Sequence, residues 1–295
     1  MMDLVFVHGI NQQGKSSASL KTEWSGHLRA GLDAQGIGTA IDPIVPFYGD
    51  LLFKRTNGVS SARVTPQGAG QSDSIDTAEA QFLAEALEEL AQTTTSYDEA
   101  TIDAYMNEMA EGEVEAQGWL PMHRRINAIV RFLEGVSPWH GDIAVKVLKQ
   151  AHTYLRSPGV DDQVEAIVAP ALKGGPRVVV AHSLGTIVCF RILRRLALEG
   201  NPAPVPLFVT LGSPLSLRTV RKTLGPKYLV PAGVDQWINA YDPDDFVSLG
   251  QGLTASTFAP GITNIGNVVN IPGDAHAIDG YLRDPKVALA IGQEI

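Results

Sequence analysis

The chain has 295 residues, 44% of them hydrophobic and 19% charged, which is enough apolar sequence for the core of one large domain or two small ones and does not suggest disorder or a fibre. Lysine and arginine number 23 against 32 aspartates and glutamates, a formal net charge of −9; that balance repels phosphate backbones unless basic residues cluster on one face, so nucleic acid is not an expected partner. The lone Cys189 excludes an internal disulfide and a cysteine metal cage, and without a leader-like start or an apolar run of membrane-spanning length a soluble, cytoplasmic protein is expected.

The first predicted element is the strand LVFV at 4–7, followed by HGINQQGKSS. Gly9 to Ser16 fits G-x-x-x-x-G-K-S/T, a loop that cradles phosphates, with Lys15 as the contact to nucleotide. The same stretch, read as VFVHG, fits the strand and turn that build an oxyanion hole. A helical pattern follows in LKTEWSGHLRAGLDAQG, then a strand-like run, IDPIVPFY, at 41–48.

From about Leu51 to about Tyr154 no strand is predicted. Ser, Thr, Gly and Gln crowd 56–77, with 58–76 as the candidate mobile loop, and helical patterns follow at 77–92, 122–135 and 142–155. Residues 51–154 therefore read as a helical cap or packing layer inserted in a single domain, 1–295. Within it, His123, Arg124, Arg125 and Arg131 share a helix with Ile126, Ile129, Val130 and Phe132. Such a helix either touches lipid transiently as a lid or packs its apolar face on the core.

Strand and helix then alternate again. The helix VDDQVEAIVAPALKGG precedes the strand RVVVA at 177–181, and further strands are predicted at 206–211, 237–241 and 267–271. About six strands alternating with helices imply an α/β protein with a mostly parallel central sheet covered on both faces.

The most informative stretch is PRVVVAHSLGTIVCFRIL, where a strand runs through Ser183 directly into a helix. A serine at such a corner sits on a tight, strained turn with its hydroxyl above the sheet and over the N-terminus of the helix. Strand and helix cross closely there, which explains the small residues Ala181 and Gly185 two places before and after it. The plainer alternative is a serine that caps the helix. Cys189, inside that helix, reads as a small core residue.

With FVHG, AHSLG, TLGSP, NAYDPDDFVS and DAHAIDGYL in this order between residues 4 and 282, the chain resembles the α/β-hydrolases, of the lipase and esterase type in which alanine replaces the first glycine of the nucleophile elbow. The resemblance leaves 51–154 unmatched, where that family inserts variable caps. It implies a sheet that begins at the family's third strand, Ser183 as nucleophile, and a base and an acid in the chain order Ser, Asp or Glu, His.

His276 is the only histidine after Ser183 and is the expected base. The acid lies in YDPDDFV: the family's pattern favours Asp245, just before Phe246 and Val247, with Asp242 as the alternative acid or as a turn former. Asp274 and Asp279 are expected to be loop and cap residues. The N–H groups of Ile10 and Leu184 are the expected oxyanion donors, with Asn11 as a further side-chain candidate and His8 as a structural residue of the turn.

On this reading the chain hydrolyses a small-molecule or lipid acyl ester, with no metal or organic cofactor required. Thioester or amide cleavage and acyl transfer use the same machinery. A nucleotide-binding loop at Gly9 to Ser16 lacks a matching strand that ends in an acid suited to Mg²⁺, and a non-catalytic scaffold of the same fold is the remaining alternative.

Overall fold

The computed structural model describes residues 2–59, 77–94, 96–110, 120–136 and 140–295. Five strands, β1 (Asp3–Val7), β2 (Arg177–His182), β3 (Val205–Leu211), β4 (Val234–Ala240) and β5 (Thr263–Ile265), form one sheet in the order β1-β2-β3-β4-β5, with every pair parallel. Parallel neighbours require long crossovers, and those up to β4 carry α-helices, whereas the β4–β5 connection holds only a short 3-10 turn at Phe246–Ser248. One face is covered by α1 (Ser17–Ala34), α10 (Ile278–Arg283) and α11 (Pro285–Gly292). The opposite face carries α7 (Val160–Leu172) and α8 (Leu184–Leu198).

The near-continuous apolar runs of β1, β2 and β3 follow from this layering, since both faces of these strands are buried. Leu4, Phe6, Val178, Val180, Leu207 and Val209 point to the α1 side with Leu20, Trp24 and Leu28. Val5, Val7, Val179, Ala181, Phe208 and Trp237 alternate to the α8 side with Ile187, Phe190 and Leu193.

The segment predicted as a helical insertion is helical in its described residues apart from the connection at 92–94 and 96–98. It contains α2 (Gly49–Val59), α3 (Thr77–Ala91), α4 (Glu99–Ala110), α5 (Leu120–Val136) and α6 (His140–Arg156). α6 packs on α2, α7, α8 and the short α9 (Arg218–Leu224), and α3 packs on α5, α6 and α9. The basic helix α5 buries Ile126, Ile129, Phe132 and Leu133 in this layer. Its Arg125 pairs with Glu88 and Glu99 at 2.7 and 2.9 Å, and Arg131 pairs with Glu108 at 2.6 Å. Of the predicted loop 58–76, residues 60–76 lie outside the described residues. Among the described residues no helix is long and apolar enough to cross a membrane.

Two strand expectations are corrected, which gives five strands instead of about six. The run 41–48 reaches the sheet edge beside β1 but pairs only at Ile44, which accepts from Phe6 N at 2.9 Å and donates to Leu4 O at 2.8 Å. The next N–H on that side would belong to position 46, and Pro46 has none, so the ladder stops. The run 267–271 is irregular, and β5 is the preceding Thr263–Ile265. Asn267 has φ 61° and turns the chain out of the sheet, leaving Val269 86% exposed. Its apolar alternation therefore does not bury a face.

Candidate active site

The strand register brings the C-terminal ends of the strands into one row, because Val7 pairs with Ala181, His182 with Leu211, Leu211 with Ala240 and Ala240 with Ile265. The segments that follow converge above that edge, where open parallel sheets place their sites. They carry His8 to Ile10, Ser183, Gly212, Asp242 to Asp245, and His276.

Ser183 joins β2 to α8 with φ 53° and ψ −127°, a backbone state that costs a non-glycine residue about 1–3 kcal/mol. Its N–H donates to Leu211 O at 3.0 Å, and its carbonyl accepts from Thr186 N at 3.0 Å and Thr186 Oγ1 at 2.7 Å. The side chain does not cap the helix. Its Oγ is buried and has no hydrogen-bond partner among the described residues, so the plain capping role is not the one the serine fills.

The small neighbours are sterically required. A Cβ at Gly185 would overlap the Val7 and His8 carbonyl oxygens, and one at Gly9 would lie 2.7 Å from Ser183 Cβ. Gly185→Ala is expected to destabilise the protein by roughly 3 kcal/mol, since two backbone groups would have to move apart. Gly26→Ala, in an open position on α1, should be neutral or slightly stabilising. Urea midpoints of the two variants check the contrast.

His276 lies in the loop after β5 and is 8% exposed. Its Nδ1 is 3.0 and 2.9 Å from the two carboxylate oxygens of Asp245, which is fully buried. A carboxylate only accepts, so Nδ1 carries a proton and the ring's other nitrogen, Nε2, is the one available to exchange a proton with a substrate or nucleophile. That Nε2 is buried without a partner, like Ser183 Oγ. No hydrogen bond joins them here, and in unliganded sites this contact is often long. His182, next to the serine, connects the two parts: its ring lies 4.7 Å from that of His276, and its Nε2–H donates to His276 O at 2.9 Å. Burial holds its pKa well below the usual histidine range.

Asp245 is anchored further by Val247 N at 2.9 Å and by the Tyr281 hydroxyl at 2.6 Å. Gly212, at φ 53°, backs the pair, and a Cβ there would lie 2.7 Å from Asp245 Oδ2 and 3.0 Å from His276 Nδ1. Asp242 faces elsewhere. Its Oδ1 accepts from Asp244 N at 2.8 Å and its Oδ2 from Asn270 N at 2.9 Å, which makes it the turn former. Asp274 accepts from His276 N at 3.1 Å within its own loop, and Asp279 pairs with His27 at 2.8 Å.

Two backbone donors flank the serine. Leu184 N–H is at the first position of α8 and Ile10 N–H follows β1, and neither donates to another group among the described residues. Asn11 is exposed with φ 58°, and no contact ties its side chain to Ser183. The turn that carries Ile10 is fixed by His8, whose Nδ1–H donates to Gly9 O at 2.8 Å while Nε2 accepts from Tyr48 N at 3.2 Å. The Tyr48 hydroxyl donates to His8 O.

Burial lowers the His8 pKa to about 4, against the opposing effect of its bond to Gly9. The unfolded histidine takes up a proton near 6.5, so the unfolded state binds more protons between these values. Stability from His8 is therefore complete above pH 6.5 and lost as pH falls towards 4, by about 3 kcal/mol at the bottom of the window. Urea unfolding at pH 7 and pH 4.5 measures this slope, and His8→Gln should flatten it.

The Gly9 to Ser16 stretch is a helix entry. Gly14 N–H donates to Asp50 at 2.8 Å, Lys15 N–H to Gln12 O at 3.1 Å, and Lys15 Nζ pairs with Glu23 at 2.7 Å. Ser16 caps α1 in a reciprocal bond pair with Ser19. A phosphate cradle needs converging free N–H groups, and here a carboxylate already occupies one of them.

A groove of about 930 Å³ opens beside His276, walled by Asp242, Phe246, Leu249, Val269 and Ile271, with Ile143 from the helical layer. Ser183 is not on its wall. Among the described residues no group of three His, Cys, Asp or Glu side chains could hold a metal ion. The Cys189 thiol is buried and free, and burial pushes its pKa up.

The structure thus brings together His276 and Asp245, sets the ring of His182, the neighbour of Ser183, 4.7 Å from that of His276, and keeps Asp242, Asn11 and Lys15 apart. The sequence reading missed Tyr281, and it had Gly212, in TLGSP, only as part of a turn beside the mouth of the site. Tyr281 left no signal beyond its place in the motif DAHAIDGYL. Compared with known proteins, the chain matches no family model and no curated protein.

Proposed function

We propose that the protein is a serine hydrolase of the α/β-hydrolase type that cleaves carboxylic esters of acyl or lipid substrates. The observation that carries this reading is that two buried polar atoms at the C-terminal edge of the sheet have no hydrogen-bond partner among the described residues, Ser183 Oγ on a strained strand-to-helix corner and His276 Nε2 on a ring held by Asp245.

In the proposed reaction Ser183 Oγ attacks the ester carbonyl carbon as His276 Nε2 takes its proton. Asp245 keeps the ring in the Nδ1–H tautomer and stabilises the imidazolium. The carbonyl oxygen becomes an oxyanion beside the Ile10 and Leu184 N–H groups, each of the kind that lowers the barrier by about 3–4 kcal/mol. The tetrahedral species collapses when His276 returns the proton to the leaving alcohol. A water deprotonated by the same nitrogen then cleaves the acyl-serine, regenerating the hydroxyl and releasing the acid.

Supporting the ester assignment, the groove next to His276 is walled largely by apolar side chains, which suits an acyl chain or apolar alcohol. Initial rates on p-nitrophenyl esters of increasing chain length test the reading. Saturable turnover above the Ser183→Ala background is the expected result, and equal rates for the two proteins would reject it.

A further inference from the structure

We infer that Tyr281 is a positioning residue that fixes the Asp245 carboxylate and sets the basicity of His276, an assignment that rests on the serine hydrolase reading. Tyr281 is fully buried in the layer of α10, five residues after His276. Its hydroxyl oxygen accepts from Asp242 N–H at 3.1 Å, so its single proton is directed to Asp245 Oδ2 at 2.6 Å. Val247 N–H takes Oδ1 at 2.9 Å. Each carboxylate oxygen therefore has one fixed donor besides the imidazole, and the carboxylate plane cannot rotate away from Nδ1.

The support for Tyr281 is itself stitched to the histidine loop. Asn270 Nδ2 donates to Ala275 O at 3.1 Å and Ala277 O at 2.7 Å, its Oδ1 accepts from Gly280 N at 3.1 Å, and its N–H is held by Asp242 at 2.9 Å. Asp242 thus serves the pair indirectly, by orienting Tyr281 with its amide and Asn270 with its carboxylate. This also accounts for two carboxylates only three residues apart having different jobs.

The chemical consequence concerns how charge is shared. A carboxylate that receives a short, charge-assisted hydrogen bond from tyrosine has less electron density to offer the imidazolium. Without that donor Asp245 binds the imidazolium more strongly, and His276 becomes more basic. The other titratable groups around the pair are His182 and His8 from the strand ends, and Asp242, Asp244 and Asp274 from the two loops. Of these, only Asp242 touches the tyrosine hydroxyl, and it does so through its backbone N–H.

Tyr281→Phe is the test. The expected result is a fall in kcat/KM of about tenfold, with the acidic limb of its pH profile displaced upwards by roughly half to one pH unit. Val287→Ala, which removes packing from the same layer without touching Asp245, should leave the limb in place. A second readout needs no turnover: the His276 Nδ1–H proton resonance should shift in Tyr281→Phe and not in Val287→Ala. If wild-type protein turns over esters but the limb and the resonance are the same in Tyr281→Phe, the positioning role is wrong and the hydrolase reading stands. If folded wild-type protein has no serine reactivity the hydrolase reading fails, and an unmoved resonance would also remove Tyr281 from the control of His276.

Discussion

Replacing His276 by alanine is expected to lower kcat by on the order of 10⁵ while changing KM little. The variant loses the proposed base, the imidazole that Asp245 orients, so the alcohol must ionise without one. Substrate binding and the two N–H donors at Ile10 and Leu184 survive, which sets the residual rate above that of water. The fold should persist, because the ring's polar contacts are confined to the site. Steady-state kinetics on an ester, with circular dichroism as the control, check this. A loss of less than tenfold would remove His276 from the chemistry.

Asp245→Asn should be nearly as severe, with kcat lower by roughly 10³–10⁴. The asparagine oxygen is claimed by Val247 N–H or Tyr281 O–H, both fixed donors, and its amide N–H group then faces the imidazole. Nδ1 must accept instead of donate, so the proton moves to Nε2 and the base is lost. Asp242→Asn presents a different case. Its carboxylate holds only the N–H groups of Asp244 and Asn270, so a loss of less than tenfold in kcat and about 1–2 kcal/mol in stability is expected. Parallel kinetics on the two variants decide between the acids, and a larger loss at Asp242 would reverse the assignment.

Local chemistry made much of this arrangement legible in the sequence. The strand before Ser183, the small residues around it and the unbroken helix after it are short-range features, and the structure places them as expected. The order of strands and helices, with helices on both sheet faces, was also readable, because it follows from apolar periodicity. The sixth strand was not, since Pro46 limits pairing through a missing donor that apolar content does not reveal. The last strand was displaced because Thr263–Ile265 is three residues long, while the more apolar 267–271 turns away at Asn267.

At the site, the limit was tertiary proximity. Asp245 and Asp242 differ in their surroundings and not in type. Their separation depends on Tyr281, Asn270 and Val247, which converge only in the fold. Gly212 read as a turn glycine, and its contact with Asp245 and His276 comes from the register of β3 against β4. The phosphate-loop pattern was equally legible and misleading, because Asp50, which takes the Gly14 N–H, lies 36 residues away in the chain.

The most direct test is covalent: incubate the folded protein with a fluorophosphonate, measure the intact mass, map the modified peptide and repeat with Ser183→Ala. The proposed mechanism predicts one adduct per chain, located at Ser183 and absent from the variant. Unmodified wild-type protein, or an adduct that persists in Ser183→Ala, would contradict it.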